Sequence, residues 1–299
     1  MKPAPFSWHG PGTVAEAVSV LADVGHDGKV LAGGQSLIPV LAMRLAEPAH
    51  LIDINAVTDL DVITVDHSGV TIGALVRHAA LERDAAAAGA QPLLRQALKL
   101  VAHPTIRNRG TTVGSLAHAD PAGEMTSVLT LLGGTVTATS AVGSRTIPAA
   151  EFFIGPLESS LRPDELATAA FFPLSPARSG SAFVEIARRH GDYAICGVAA
   201  VATVDDSGAL AGLRCSYLSV FPTPLVLDLT AAWQAGEADA AEAARLAIDP
   251  VPDIHATAAY RRQLAGVLTV RAARQAVAAA GQNAGIATGS VDRQGAKGA

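Results

Sequence analysis

The chain has only two cysteines, Cys196 and Cys215, and they form no CxxC pair. An iron–sulfur cluster held by this chain alone is therefore excluded, because it needs about four thiolates. Aromatic residues make up 4% and charged residues 16% of the 299 positions. The net charge of −5 leaves no basic footprint for nucleic acid or an anionic membrane surface. No apolar run approaches the ~18–20 residues of a membrane span. The opening Met-Lys-Pro-Ala-Pro-Phe-Ser-Trp lacks the apolar core of a secretory leader, so cytoplasm is the expected compartment. No GxGxxG follows a strand with an acidic residue ~20 positions on. No nucleophile elbow or metal-ligand spacing is visible either. The chain thus lacks evident machinery for oxidising a substrate by itself. At 49% hydrophobic content it can bury sizeable cores in two or three domains.

Two small-residue loops stand out. Residues 31–36 read Leu-Ala-Gly-Gly-Gln-Ser, and residues 106–115 read Ile-Arg-Asn-Arg-Gly-Thr-Thr-Val-Gly-Ser. A glycine loop can turn backbone N–H groups toward a phosphate oxygen, since no Cβ blocks the approach. Two such loops can grip a pyrophosphate from both sides without a Rossmann turn.

The pattern around them alternates strands and helices. Thr13 with Glu16 makes a capping box, and Val14, Ala17, Val18 and Leu21 then share a helical face. Lys29–Ala32 reads as a strand, Ser36 as the cap of a helix over Leu37, Val40, Leu41 and Leu45, and His50–Asn55 as a strand. Val70–Leu75 is a strand, followed by helices over His78–Ala88 and Gln91–Ala102 and a polar loop over Pro104–Ser115. Pro121–Leu132 reads as a helix closed by Gly133-Gly134. Thr135–Ala141 and Leu166–Phe172 are strands, and Ser175–Ser181 is the best domain boundary. Strands over Ala182–Arg188, Ala194–Val204 and Gly212–Val220 follow, then helices over Ala238–Ala247 and His255–Ala280. Gly281–Ala299 has the composition of a disordered tail.

The two loops, with Leu-Ala-His-Ala-Asp-Pro at 116–121 and Arg-Arg-His-Gly-Asp-Tyr-Ala at 188–194, resemble the FAD-binding medium subunit of the molybdenum hydroxylases. That family includes flavoprotein subunits of carbon monoxide, nicotine and caffeine dehydrogenases and the FAD domain of xanthine dehydrogenase. The resemblance implies an α+β fold: a vanillyl-alcohol-oxidase-type two-subdomain FAD-binding domain, then a C-terminal antiparallel three-stranded sheet with helices. The implied subdomains are 1–56 and 57–176, with a C-terminal domain over 177–281 and a tail over 282–299. Ala32, Gly33, Gly34, Gln35, Ser36 and Leu37, with Thr111, Val113, Gly114 and Ser115, would contact the pyrophosphate and ribityl chain. Glu124 matches an acidic position near the adenosine, and Tyr193 falls where an aromatic ring approaches the isoalloxazine. The implied partners are a large molybdenum-cofactor subunit and a small subunit with two [2Fe–2S] clusters, in a dimer of heterotrimers. The family usually carries two glycines where this chain has Val113-Gly114. A β-branched residue avoids positive φ, so Val113 is expected at negative φ, with Gly114 supplying the permissive conformation.

Bland readings stand beside these. Arg107 and Arg109 read either as solvated loop charges or as cofactor or partner groups, and His118 as a structural hydrogen bonder. Asp120 reads as a helix cap, and His190 and Asp192 as surface residues. For function, an electron-transfer flavoprotein subunit competes with a stand-alone flavin reductase or oxidase and with a non-catalytic scaffold. In the carbon monoxide dehydrogenases the first loop resembles Ala-Gly-Gly-His-Ser, so Gln35 tilts the substrate toward an N-heterocycle or other small organic molecule, with carbon monoxide as the alternative.

Overall fold

Thr13 opens the first helix, Val14–Val24, by accepting the Glu16 N–H at 3.1 Å while the Glu16 carboxylate accepts the Thr13 N–H. The computed structural model describes residues 2–291, with side chains described to residue 284. The helix lays Ala17, Val18 and Leu21 on a parallel sheet of Ser7–His9, His50–Asp53 and Gly28–Leu31, with His50–Asp53 in the middle. Gly28–Leu31 runs into the first glycine loop, and the short helix Leu37–Ala42 leaves it.

A second, antiparallel sheet places Leu166–Pro173 at its centre. Gly69–Gly73 and Ile63–Val65 lie on one side of it, and Thr135–Ser140 and Gly143–Pro148 on the other. Helices His78–Arg83, Ala85–Ala90, Pro92–Leu98 and Glu124–Leu132 cover it, and one continuous apolar core joins both sheets. The segment read as one helix over His78–Ala88 divides at Asp84, whose carboxylate accepts the Ala87 N–H at 2.7 Å and starts a new helix. The Pro104–Ser115 stretch is not a plain loop. It folds into the helices Pro104–Arg107 and Thr112–His118, both too short to show periodicity. The helix expected from Pro121 begins at Glu124, because the Asp120 side chain accepts the Ala122 N–H in a preceding turn.

The C-terminal sheet has four strands, one more than expected: Ser179–Ala187, Ala194–Val204, Leu210–Leu218 and Leu225–Asp228. The fourth was missed because Leu-Val-Leu-Asp is too short and too uniformly apolar to alternate. Ala194–Val204 is buried on both faces. Ala199 joins the first core, whereas Cys196, Val198, Ala200 and Ala202 face the second. That second core packs against the helix Ala258–Val291 through Ala265, Leu268, Ala272, Ala273, Ala276 and Ala280. The helix runs through 281–291, the first part of the stretch whose composition suggested a tail; 292–299 lie outside the described residues. Cys196 and Cys215 are buried free thiols, both pushed up to about 12 by burial. Among the described residues, no helix is long and apolar enough to cross a membrane.

Candidate cofactor site

The two small-residue loops meet. A Cβ built on Gly33 would stand 2.4 Å from the Arg109 carbonyl oxygen and 2.8 Å from Gly110 Cα, so the backbones touch where Gly33 has no side chain. Gly34 next to it takes φ +73°, the left-handed region that a side chain disfavours. The Gln35 amide donates to the Gly33 carbonyl at 2.9 Å and braces the turn from within. Among the described residues, the backbone N–H groups of Gly33, Gly34, Gln35 and Ser36 have no protein acceptor. Ser36 makes no side-chain cap bond, contrary to the expected N-cap role, because it has already turned into αR backbone (φ −96°, ψ −46°). Its hydroxyl is left for another acceptor. Leu37 is the first residue of the helix that follows.

Thr111 caps the second helix by accepting the Gly114 N–H at 3.1 Å. Val113 lies inside this helix, not at positive φ, and its side chain is buried. Gly114 is not at positive φ either, so it does not supply conformational freedom as expected. It supplies room: a Cβ there would approach Thr111 Oγ1 to 2.5 Å. The valine is accommodated because the loop is helical and needs no left-handed residue at this point.

Two residues the sequence reading had not singled out, Arg77 and Asn55, lock the loops together, and a third, His78, braces the second loop. Arg77 donates to the Arg109 carbonyl at 2.8 Å and to Asn55 Oδ1 at 2.7 Å. Asn55 in turn donates to the Ala32 carbonyl at 2.9 Å. This chain of bonds runs from the first loop through the strand end at 53–55 to the second loop. Behind the second loop, the buried His78 ring lies 3.2 Å from Thr112 Oγ1 and 3.3 Å from Ser115 Oγ. The His78 N–H donates to the Gly110 carbonyl at 2.9 Å. Arg107 is not a solvated loop charge. It is buried, paired with Glu82 at 2.9 Å, and donates to the carbonyls of Val101 and Ala102, so it pins the preceding turn.

Glu124 and Tyr193 belong to a second cluster. Tyr193, 65% exposed, lines a cavity of about 780 Å³ with Asp120, Pro121, Ile195, Ser219, Phe221, Val251 and Asp253. Glu124 is buried at the start of its helix, and burial, with the Asp120 charge nearby, pushes it up to about 7. Glu185, from the C-terminal sheet, is pushed up to about 8 by burial and by Glu124. The cavity lies on the seam between the N-terminal body and the C-terminal domain. Ser127 and Ser216 bond across that seam at 2.7 Å, and the Ser219 N–H donates to the Pro121 carbonyl at 2.9 Å. Buried Arg261 holds the cavity wall, donating to the carbonyls of Ile195 and Ser219 and pairing with Asp253 at 2.6 Å.

The two touching loops offer donors to an anion, through free N–H groups at 33–36 and the Ser36 and Ser115 hydroxyls, and a cavity at the domain seam is flanked by an aromatic ring. Among the described residues, no group of His, Cys, Asp and Glu could hold a metal ion. Residues 4–175 match the model of the FAD binding domain in molybdopterin dehydrogenase, and residues 181–276 that of the CO dehydrogenase flavoprotein C-terminal domain. The chain is 41% identical over 285 residues to the 6-hydroxypseudooxynicotine dehydrogenase complex subunit alpha of Paenarthrobacter nicotinovorans, covering 93% of this chain and 96% of that one. It is 35% identical to the caffeine dehydrogenase subunit beta of Pseudomonas sp. (strain CBB1), over 92% and 96% of the two chains. A chain of quinoline 2-oxidoreductase from Pseudomonas putida 86 superposes with a TM-score of 0.89 at 34% identity, over 94% of this chain and 99% of that one.

Proposed function

The chain belongs to the FAD-binding flavoprotein subunits of the molybdenum hydroxylase family, and from that premise we propose that it is the electron-transfer subunit of a three-subunit cytoplasmic dehydrogenase. A large partner would hold the molybdenum cofactor and oxidise the substrate. A small partner with two [2Fe–2S] clusters would deliver the electrons, and the assembly would be a dimer of such heterotrimers. The observation that carries this reading is the contact of the two loops at Gly33, braced by Arg77 and Asn55. Ala32–Leu37 on one side and Thr111, Val113, Gly114 and Ser115 on the other would hold the FAD pyrophosphate and ribityl chain. We take 1–56 and 57–176 as the two FAD subdomains and 177–281 as the domain that closes over the flavin.

Bound FAD supplies the redox chemistry, collecting electrons and passing them to a terminal acceptor. The chain's own groups hold and shield it. Free N–H groups and the Ser36 and Ser115 hydroxyls face phosphate charge. Tyr193 covers the ring from water. Glu124, protonated below about pH 7, can donate a hydrogen bond to a cofactor oxygen. No residue of the site is asked to act as acid or base on the organic substrate. For that substrate we favour an N-heterocycle or other small organic molecule over carbon monoxide, on the strength of Gln35 and of relatives named for caffeine and 6-hydroxypseudooxynicotine.

The test is co-expression with the two partner subunits. The complex should reduce an artificial acceptor when given substrate, and the isolated chain loaded with FAD should not. Acid precipitation should leave the flavin in the supernatant, since neither loop offers a side chain for covalent attachment. Substrate-dependent bleaching by the isolated chain would favour a stand-alone enzyme, and absence of bound flavin a scaffold.

A further inference from the structure

His78 sits behind the second loop with no route to a ligand of its own, since only 2% of it is exposed. Its ring nitrogens face two hydroxyls, Thr112 Oγ1 on Nδ1 at 3.2 Å and Ser115 Oγ on Nε2 at 3.3 Å. Burial, with Arg107 nearby, pushes the imidazole down to about 4, so the ring is neutral and carries one N–H. Two tautomers are then open, and they leave different hydroxyl hydrogens free.

If Nδ1 carries the proton, it donates to Thr112 and Nε2 accepts the Ser115 hydrogen. The Thr112 hydrogen is then stranded, because Thr112 is fully buried and its hydroxyl has no other partner among the described residues. If Nε2 carries the proton, Thr112 donates to Nδ1 and Nε2–H donates to Ser115 Oγ. Both ring nitrogens and the Thr112 hydroxyl are then paired, and the one free hydrogen is that of Ser115, which is only half-buried.

We propose that His78 is a positioning residue for the cofactor: as the Nε2–H tautomer it occupies a lone pair of Ser115 Oγ and so turns the serine hydroxyl into a committed donor to the FAD pyrophosphate. This inference rests on the reading that the two loops grip the pyrophosphate. It also accounts for Gly110, where a Cβ would meet the His78 ring at 3.0 Å and displace it.

The test is a double-mutant cycle on the full chain, read as the FAD dissociation constant. Ser115→Ala and His78→Met should each weaken FAD binding about tenfold. The double variant should be no weaker than Ser115→Ala alone, because the histidine acts only through the hydroxyl. His78→Gln, whose amide N–H reaches the Nε2 position, should recover most of the loss. Losses that simply add, or no loss in His78→Met, would overturn the proposal. If His78→Met does not fold, two-bond 15N–1H spectra of histidine-labelled wild-type chain decide it: a protonated Nε2 with an accepting Nδ1 supports the assignment, and the opposite tautomer refutes it. Riboflavin separates the underlying reading. If riboflavin binds as tightly as FAD, the pyrophosphate grip itself fails. If FAD binds far more tightly and the cycle is additive, only the role of His78 fails.

Discussion

Replacing Gly33 by alanine should break the cofactor site while sparing the fold. The new Cβ would lie 2.4 Å from the Arg109 carbonyl oxygen, and real Cβ atoms come no closer than about 3.0 Å, so the loops must part by at least 0.6 Å. Both atoms in conflict with it are backbone, so no side chain can swing aside. The Arg77 bond to that same carbonyl, now 2.8 Å, is stretched as well. Overpacking of this kind costs about 1–3 kcal/mol of stability, which a two-core fold survives. Binding suffers more. A pyrophosphate held from both loops loses donors on one side, and each hydrogen bond to a charged group contributes about 1.5–3 kcal/mol. Loss of two such bonds weakens FAD by roughly a hundredfold or more. Gly34→Ala is the control. It meets only the side chains of Ile38 and Leu31, at 3.0 and 3.1 Å, and carries the left-handed penalty of about 1–2 kcal/mol. Flavin fluorescence titration and thermal melts of both variants check this. If Gly33→Ala binds FAD within twofold of wild type while remaining folded, the loops do not grip the cofactor together.

Val113→Gly should destabilise the chain by about 2–4 kcal/mol, from a lost buried side chain and poorer helix propensity. FAD affinity should change less than about tenfold, so a far larger gain in affinity would show that the valine damages the site. Stability should also depend on pH through Glu124 and Glu185. Their carboxyls sit at about 7 and about 8 when folded, against an ordinary 4.5. The folded state holds protons that the unfolded chain has released, so this stabilisation is complete below pH 4.5 and is lost as pH rises to about 8. Thermal melts of the FAD-free chain between pH 5.5 and 8.5 should fall, and Glu185→Gln should flatten the slope; an unchanged slope in that variant would refute the assignment.

Much of this architecture is legible in the chain alone. The Thr13–Glu16 capping box, the apolar strand Ala194–Val204 and the left-handed Gly34 are local signals, and each occurs where its periodicity or backbone chemistry requires. Local signals end where helices become too short to repeat, and the two helices within 104–118 were hidden for that reason. A single residue's type also does not say whether its side chain will be buried. Arg107 reads like any loop arginine until Glu82 and two carbonyls surround it. Asn55, Arg77 and His78 show no pattern of their own. They matter because folding brings a strand end, a helix start and a glycine loop within 3.5 Å of one another. The sequence by itself determined where two backbones could come as close as they do at Gly33, because that depends on missing side chains. Tertiary structure decided what holds those backbones in place, because hydrogen bonds between residues far apart in the chain exist only once the cores have packed.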